Sequence, residues 1–387
     1  MRRVYLDNAA TSWPKPPQVY QAVDHAMRQL GAPAGRGNYA EAAEVDGAIR
    51  DTRRLLAGLL GVDDARQVVF AFNGTDALNL VLYGLLGNAD HVVATDSEHN
   101  SVFRPLRQLH DSRGVNSTLL AVDGQGVVDP DEFRKAVCSR TRLFVVSHAS
   151  NVTGAVQPVA EIAQIAQAHG VPLLVDAAQT LGHWDQSPVA LGASLVAASG
   201  HKGLLGPLGT GLAYIAPELV ERIAPWRLGG TGTESESDRQ PEQLPDKFES
   251  GNLNVPGILG LRAALEWITA QGLETLRGHE QRLTAWLLDE FSAIPGLRCY
   301  GPPSARDRVG VVSIGLDGVE SHDLAAVLES SYRIQVRAGL HCAPRIHRSL
   351  GTLSAGGTVR FSVGPFTSLD ELTHAAQAVR KIGETLT

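Results

Sequence analysis

The sequence predicts an α/β fold: an open, mostly parallel seven-stranded sheet in a large domain, followed by a smaller α+β domain. Three observations lead there. Between about residues 68 and 215, short apolar runs alternate with longer amphipathic ones. Several short runs are nearly continuous Val, Leu and Ala, the pattern of strands covered on both faces by helices. Past a polar, turn-rich segment at 229–245 the order changes to helices followed by strands.

Taken in order, the expected strands of the first part are 68–72, 91–95, 118–122, 143–147, 172–176, 195–199 and 211–215. Helical patterns separate them; one at 159–169 starts after Pro158 and stops before Gly170. In such a sheet the ligand lies beyond the carboxyl ends of the strands. The segment 229–245 reads as a long loop, a kind of element that often carries function. Beyond it, helices at 255–270 and 276–294 precede strands at 309–315, 334–337 and 358–363, with helices at 321–330 and 368–386. The large domain is expected at 15–253, and the small one at 1–14 together with 254–387.

Bulk properties narrow the class. A chain of 387 residues with 43% hydrophobic composition has material for a large core divided between two domains. A net charge of −7 with no basic block argues against nucleic acid as a partner. No apolar run reaches the length of a membrane span, and the first residues lack a signal-peptide apolar region. Cys138, Cys299 and Cys342 are far apart without metal-ligand spacing, as befits reduced thiols. A cytoplasmic enzyme without a metal is the expectation.

Candidate chemistry gathers at the predicted strand ends. Lys202 lies among glycines just after the run ending at Ser199, in Ser199-Gly200-His201-Lys202-Gly203. Partial desolvation there would lower its pKa and free its amine for a Schiff base. Few residues compete, since only Lys15, Lys135, Lys202, Lys247 and Lys381 are lysines. Alone, Lys202 reads equally well as a structural loop lysine. Gly74 and Thr75 open a helix after the first strand and could meet an anion with backbone N–H groups and a hydroxyl, or form an ordinary cap. His99 follows the second strand, Asn151 the fourth, and Asp176 ends the fifth, where it could also cap a helix. Together they place an anion site, a carboxylate and a desolvated lysine along one edge. Those are the needs of pyridoxal 5'-phosphate.

A second cluster lies in the smaller domain. Cys342 follows His341, with Arg337 and Arg345 close in sequence, and cationic neighbours favour the nucleophilic thiolate. The Gly and Pro around it indicate a loop rather than a buried apolar cysteine. Arg360 stands in a strand with apolar alternate positions, where it faces either solvent or a substrate carboxylate that it could grip bidentately.

These residues resemble the class V aminotransferase superfamily and, within it, the cysteine desulfurases. The likeness runs from Tyr5-Leu6-Asp7-Asn8-Ala9-Ala10-Thr11 to Arg360-Phe361-Ser362. The run from Arg337 to Ala343, with Gly339, His341 and Cys342, resembles the short active-site loop of the second desulfurase group. The resemblance implies a pyridoxal-phosphate-dependent transferase of fold type I that converts L-cysteine to L-alanine. It implies that Lys202 binds the cofactor and moves the substrate's α-proton, that Asp176 pairs with the pyridinium nitrogen, and that Gln179 touches the phenolic oxygen. His99 would stack on the ring and assist proton transfer. Thr75, Ser199 and His201 would hold the phosphate with backbone from Gly74. Asn151 and Arg360 would hold the substrate carboxylate. Cys342 would take the sulfur as a persulfide and pass it to an acceptor protein or small thiol.

A homodimer is implied too, with the 229–254 region reaching into the partner's site. Two positions depart from the family pattern. Asn252 stands where a phosphate-binding threonine is common, and Arg36-Gly37-Asn38-Tyr39 ends in tyrosine where histidine is frequent. A selenocysteine lyase or another class V lyase or aminotransferase is the alternative, needing Lys202 and Asp176 but not always Cys342. A binding protein with a relict cofactor site is the reading from another class. A nicotinamide-binding enzyme is disfavoured, because no Gly-x-Gly-x-x-Gly turn follows the first strand.

Overall fold

The computed structural model describes residues 3–35, 37–234 and 236–386, with Leu386 described by its backbone alone. Arg36 of the N-terminal departure lies outside them.

The chain begins with β1 (Val4–Tyr5), then α1 (Pro17–His25) and α2 (Ala40–Leu60). The larger sheet follows: β2 (Val68–Ala71), α3 (Gly74–Leu85), β3 (His91–Thr95), α4 (Asn100–Arg113), β4 (Asn116–Leu120), α5 (Pro130–Ala136), β5 (Thr141–Ser147), α6 (Val159–Ala168), β6 (Leu173–Asp176), β7 (Leu195–Ser199) and β8 (Gly211–Ile215). Its seven strands run in the order β2-β8-β7-β6-β5-β3-β4. Neighbours are parallel except that β8 runs against both β2 and β7. All seven expected strands are present. Every residue of β2, β3, β6, β7 and β8 is buried, which is why these strands read as continuous apolar runs. The edge strand β4 differs. Its first residues, Asn116 and Ser117, are exposed, so polar residues conceal its start and the expected 118–122 falls two residues late.

Residues 229–245 contain no helix or strand among those described. Then come α7 (Val255–Gln271), α8 (Leu273–Ser292), β9 (Leu297–Tyr300), β10 (Val311–Leu316), α9 (Ser321–Tyr332), β11 (Ile334–Gln335), β12 (Arg337–Gly339), α10 (Ile346–Ser349), β13 (Thr358–Ser362) and α11 (Leu369–Leu386). The smaller sheet is antiparallel in the order β12-β13-β10-β9. The single strand expected at 334–337 is two. Ile334 pairs with Val4 of β1, whereas Arg337 pairs with Arg360 of β13.

Helix α7 packs against α1 and α2, and its Ile258, Leu261 and Leu265 belong to the larger core. A boundary at 254 assigns it instead to the smaller domain. Periodicity identifies an apolar helix without saying which core receives it.

Candidate active site

Five segments line one cleft at the carboxyl edge of the larger sheet. After β2, Asn73 caps α3 by accepting from the Asp76 N–H at 2.9 Å, which turns the first N–H groups of α3 outward. The Gly74 N–H donates to Ser199 Oγ at 3.1 Å, tying that helix end to the end of β7. A Cβ at Gly74 would stand 2.7 Å from Ser199 Oγ, so the close approach needs glycine. Gly74, Thr75, His99, Asn151, Asp176, Gln179, Ser199 and Lys202 line one cleft. Eight expected site residues thus share a single wall.

His99 caps α4. Its Nδ1 accepts from the Ser101 N–H at 3.1 Å and lies 2.8 Å from Ser101 Oγ. Ser101 Oγ in turn lies 2.7 Å from Thr75 Oγ1. Burial, with the charges of Lys202, Arg337, Arg104 and Arg360, pushes His99 down to about 4, so the ring is neutral. Ser101, in the first turn of α4, gives no signal of its own in the sequence, because serine is common at helix starts.

Asp176 is buried at the end of β6 and accepts from the Ala178 N–H at 2.9 Å. Burial raises its carboxyl above the usual range, against the pull of that hydrogen bond and of Lys202. Burial also pushes Lys202 down to about 8; Asp176 opposes this, Arg360 and Arg337 add to it, and Cys342 opposes it. Lys202 is therefore an amine that can be freed near neutral pH. Lys15 is likewise pushed down to about 8 by burial, but its Nζ is spent on Ser12 Oγ at 2.7 Å and the His201 carbonyl at 2.9 Å. It braces the Lys202 turn from the N-terminal segment.

Behind Asp176 lies Glu98, fully buried and unforeseen by the sequence. It accepts from Thr95 Oγ1 at 2.6 Å, from Ser147 Oγ at 2.7 Å and from the Ser147 N–H at 3.1 Å. Ser147 pairs with Asp176 across β5 and β6. Burial raises Glu98 to about 7, the Thr95 and Ser147 bonds oppose it, and Asp176 adds to the rise.

The smaller domain delivers the thiol. After β12 the chain turns through His341 and Cys342, both left-handed at φ 50 and 59. Two such residues cost roughly 1–2 kcal/mol each, and the surroundings hold them there. The Cys342 carbonyl accepts from the Asn100 N–H at 2.8 Å, and the His341 carbonyl from Asn151 Nδ2 at 2.6 Å. Ala343 and Ile346 are buried in the larger core. His341 Nε2 lies 3.0 Å from Thr358 Oγ1, and burial pushes its ring down to about 2. Arg337 Nη2 donates to Cys342 Sγ at 3.3 Å.

Arg360 is buried within β13. Its Nη1 donates to the Asn151 carbonyl at 3.0 Å and its Nη2 to Asp7 Oδ1 at 2.7 Å, leaving Nε without a partner. Asp7 is 353 positions away, beyond the reach of any periodicity argument. Gln179 Nε2 donates to the Ala9 carbonyl at 3.0 Å, which engages one of its two amide protons. Four expected residues do not line this cleft: Cys342 and Arg360, described above, and His201 and Asn252. His201 contributes its carbonyl to Ser12, Thr11 and Lys15, and its ring, pushed down to about 4 by burial and the two lysines, does not line the cleft wall. Asn252 is exposed beside a different cavity, with Phe72, Arg227 and Asn254. Among the described residues no group of His, Cys, Asp and Glu could hold a metal ion, and no helix is long and apolar enough to cross a membrane.

An anion cradle, a buried carboxylate and a depressed lysine on one sheet edge fit pyridoxal phosphate. They define the chain as a fold type I pyridoxal-phosphate enzyme. The family model for aminotransferase class-V matches residues 4–374. A probable cysteine desulfurase of Methanothermobacter thermautotrophicus is 36% identical, over 99% of this chain and 94% of that one. Among solved structures, the apo cysteine desulfurase of Thermococcus onnurineus superposes with a TM-score of 0.91 at 31% identity, covering 99% of this chain and 95% of the other. The S-sulfonic acid form of the Escherichia coli cysteine desulfurase CsdA gives 0.89 at 28% identity, covering 100% and 96%. The chain belongs to the aminotransferase class-V superfamily and, within it, to the cysteine desulfurase family.

Proposed function

We propose that this chain removes sulfur from L-cysteine, leaving L-alanine and a persulfide on Cys342. The observation that carries this reading is the seating of the Cys342 loop on the edge that holds Lys202, with Arg337 on its sulfur. Pyridoxal phosphate supplies, when bound, an aldehyde that the Lys202 amine captures and a ring that draws electrons from the substrate's Cα.

The α3 N-terminus, Thr75 and Ser199 would hold the phosphate, and Asp176 would keep the ring nitrogen protonated through charge pairing. The neutral His99, on the cleft wall, would pack against the ring. Lys202, freed near pH 8, takes and returns the α-proton. Arg360, fixed by Asp7, and Asn151, fixed by the thiol loop, present their remaining N–H groups to the substrate carboxylate. Cys342 as thiolate then bonds to the substrate sulfur. The carbon–sulfur bond breaks, its electron pair stays on carbon, and that carbon takes a proton. The persulfide passes to an acceptor protein or a small thiol.

A second copy of the chain supplies Asn252 to the phosphate. Phe72, exposed over 44% of its surface, lines the cavity beside Asn252 and offers such a copy an apolar contact. The test is Cys342→Ser, assayed for alanine and sulfide from cysteine under reductant. Turnover is expected to fall to the blank, and undiminished turnover contradicts the assignment.

A further inference from the structure

Lys202 stands between two cavities. One is the cleft described above. The other opens between the domains and is lined by Lys202, Gln179, His183 and Glu280, with apolar walls that include Leu276 and Val309. Cys342, Arg337 and Arg360 take no part in it.

His183 and Glu280 form a built pair. His183 Nδ1 lies 2.6 Å from Glu280 Oε2, with only 20% and 10% of the two side chains exposed. Glu280 is fixed in turn. It accepts from Arg277 Nη1 at 2.9 Å and packs so tightly on Gly310 that a Cβ there would stand 2.7 Å from its Cγ. Arg277 spreads over the Trp184 ring at 3.9 Å and donates to the Ala305 carbonyl at 3.0 Å and the Arg306 carbonyl at 3.2 Å. Burial raises the Glu280 carboxyl, but His183 and Arg277 outweigh it and hold the group below its ordinary range. The charged and titratable groups around His183 are therefore Glu280 and Arg277 from α8, His148 after β5, Lys202 after β7, and Asp185 from its own loop.

His183 Nδ1 faces Glu280 Oε2, and in the tautomer with its proton on Nδ1 the ring presents Nε2 as an acceptor. That far edge of the ring meets Gly203, the residue directly after Lys202. A Cβ on Gly203 would overlap His183 Cδ2 and stand 3.0 Å from Nε2. A carboxylate thus orients an imidazole whose free nitrogen faces the turn and the cavity of the lysine.

We propose that His183, oriented by Glu280, is the relay through which the proton carried by Lys202 exchanges with solvent. The inference rests on the reading of Lys202 as the group that moves the substrate's α-proton. One proton moves and no electrons do. The Lys202 ammonium loses it, the imidazole gains it at Nε2 through solvent in the cavity, and the Nδ1 proton leaves by way of Glu280.

The test uses the loaded enzyme in heavy water with L-alanine, following loss of the Cα hydrogen by NMR. Borohydride must first fix the cofactor on the Lys202 peptide; labelling elsewhere overturns the Lys202 reading and the relay with it. Given that label, His183→Ala is expected to slow exchange about tenfold or more, with the visible absorbance of the bound cofactor retained. Added imidazole, which fits the space left beside Gly203, should restore part of the rate. Glu280→Gln keeps the packing and should slow exchange by a smaller factor. Exchange within about twofold of the unmodified enzyme in both variants, or a loss that imidazole does not relieve, overturns the relay.

Discussion

Arg337 Nη2 stands 3.3 Å from Cys342 Sγ, joining the edge strand of the smaller sheet to the loop that follows it. A guanidinium keeps its charge at every working pH, and here it donates to the sulfur of the loop. Arg337→Gln keeps a donor and removes the charge. Alkylation of Cys342 by iodoacetamide at pH 7 is expected to slow about tenfold, with the exposed Cys138 as the reference in the same sample. Equal rates in the two proteins contradict this role.

Lys202 and Asp176 make a pH-dependent pair. Capture of pyridoxal phosphate by the empty protein requires the free amine, so its rate should rise through about pH 8. The Asp176 charge favours the ammonium. Asp176→Asn should therefore move that rise to lower pH while weakening retention of the cofactor. Stopped-flow absorbance across pH 6 to 10, about the range needed, reads both effects. A rise displaced upward would contradict the sign.

Glu98 gives a stability prediction whose sign follows from its raised value. Burial lifts it from the ordinary 4.5 to about 7, so the folded protein keeps a proton that the unfolded chain releases in that interval. The stability tied to this proton is complete below pH 4.5 and lost as pH rises through about 7, an effect on the order of 3 kcal/mol. Glu98→Gln stays neutral throughout. Its Tm should fall less than that of the parent between about pH 5 and pH 8, by scanning calorimetry on the empty proteins. Parallel curves would show that Glu98 is ionised in the fold.

Arg53 and Glu249 form a buried fork, Nη1 to Oε1 at 2.7 Å and Nη2 to Oε2 at 2.8 Å, and Oε1 also accepts from the Phe70 N–H at 2.6 Å. This fork anchors the segment that carries Asn252 to α2 and β2. Arg53→Ala strands a buried carboxylate and should cost about 3–5 kcal/mol of unfolding free energy, measured by urea titration. A loss below about 1 kcal/mol would place the pair in the class of exposed bridges.

Much of the site was legible because chemistry and pattern coincide at strand ends. Continuous apolar runs marked β6 and β7, and the first polar residues after them are Asp176 and the Ser199–Lys202 turn. Cys342 declared itself by its cationic neighbours and its glycine. Illegible were the partners that meet only in three dimensions. Asp7 finds Arg360 because the chain after β1 bridges to Ser362 of β13, and Glu280 of α8 meets His183 from 97 positions away. Glu98 sits one residue before His99 and reads as a solvated loop carboxylate until β5 supplies Ser147. Helix α7 carries a clear apolar pattern, yet nothing in that pattern names the core it joins.

The central claim is that sulfur rests on Cys342. Peptide mass spectrometry of the loaded enzyme, quenched by alkylation after addition of L-cysteine without reductant, tests it directly. The account predicts one added sulfur atom on the peptide containing Cys342 and none on those containing Cys138 or Cys299. Alanine formed while the Cys342 peptide stays unmodified, or with the sulfur on another cysteine, would contradict it.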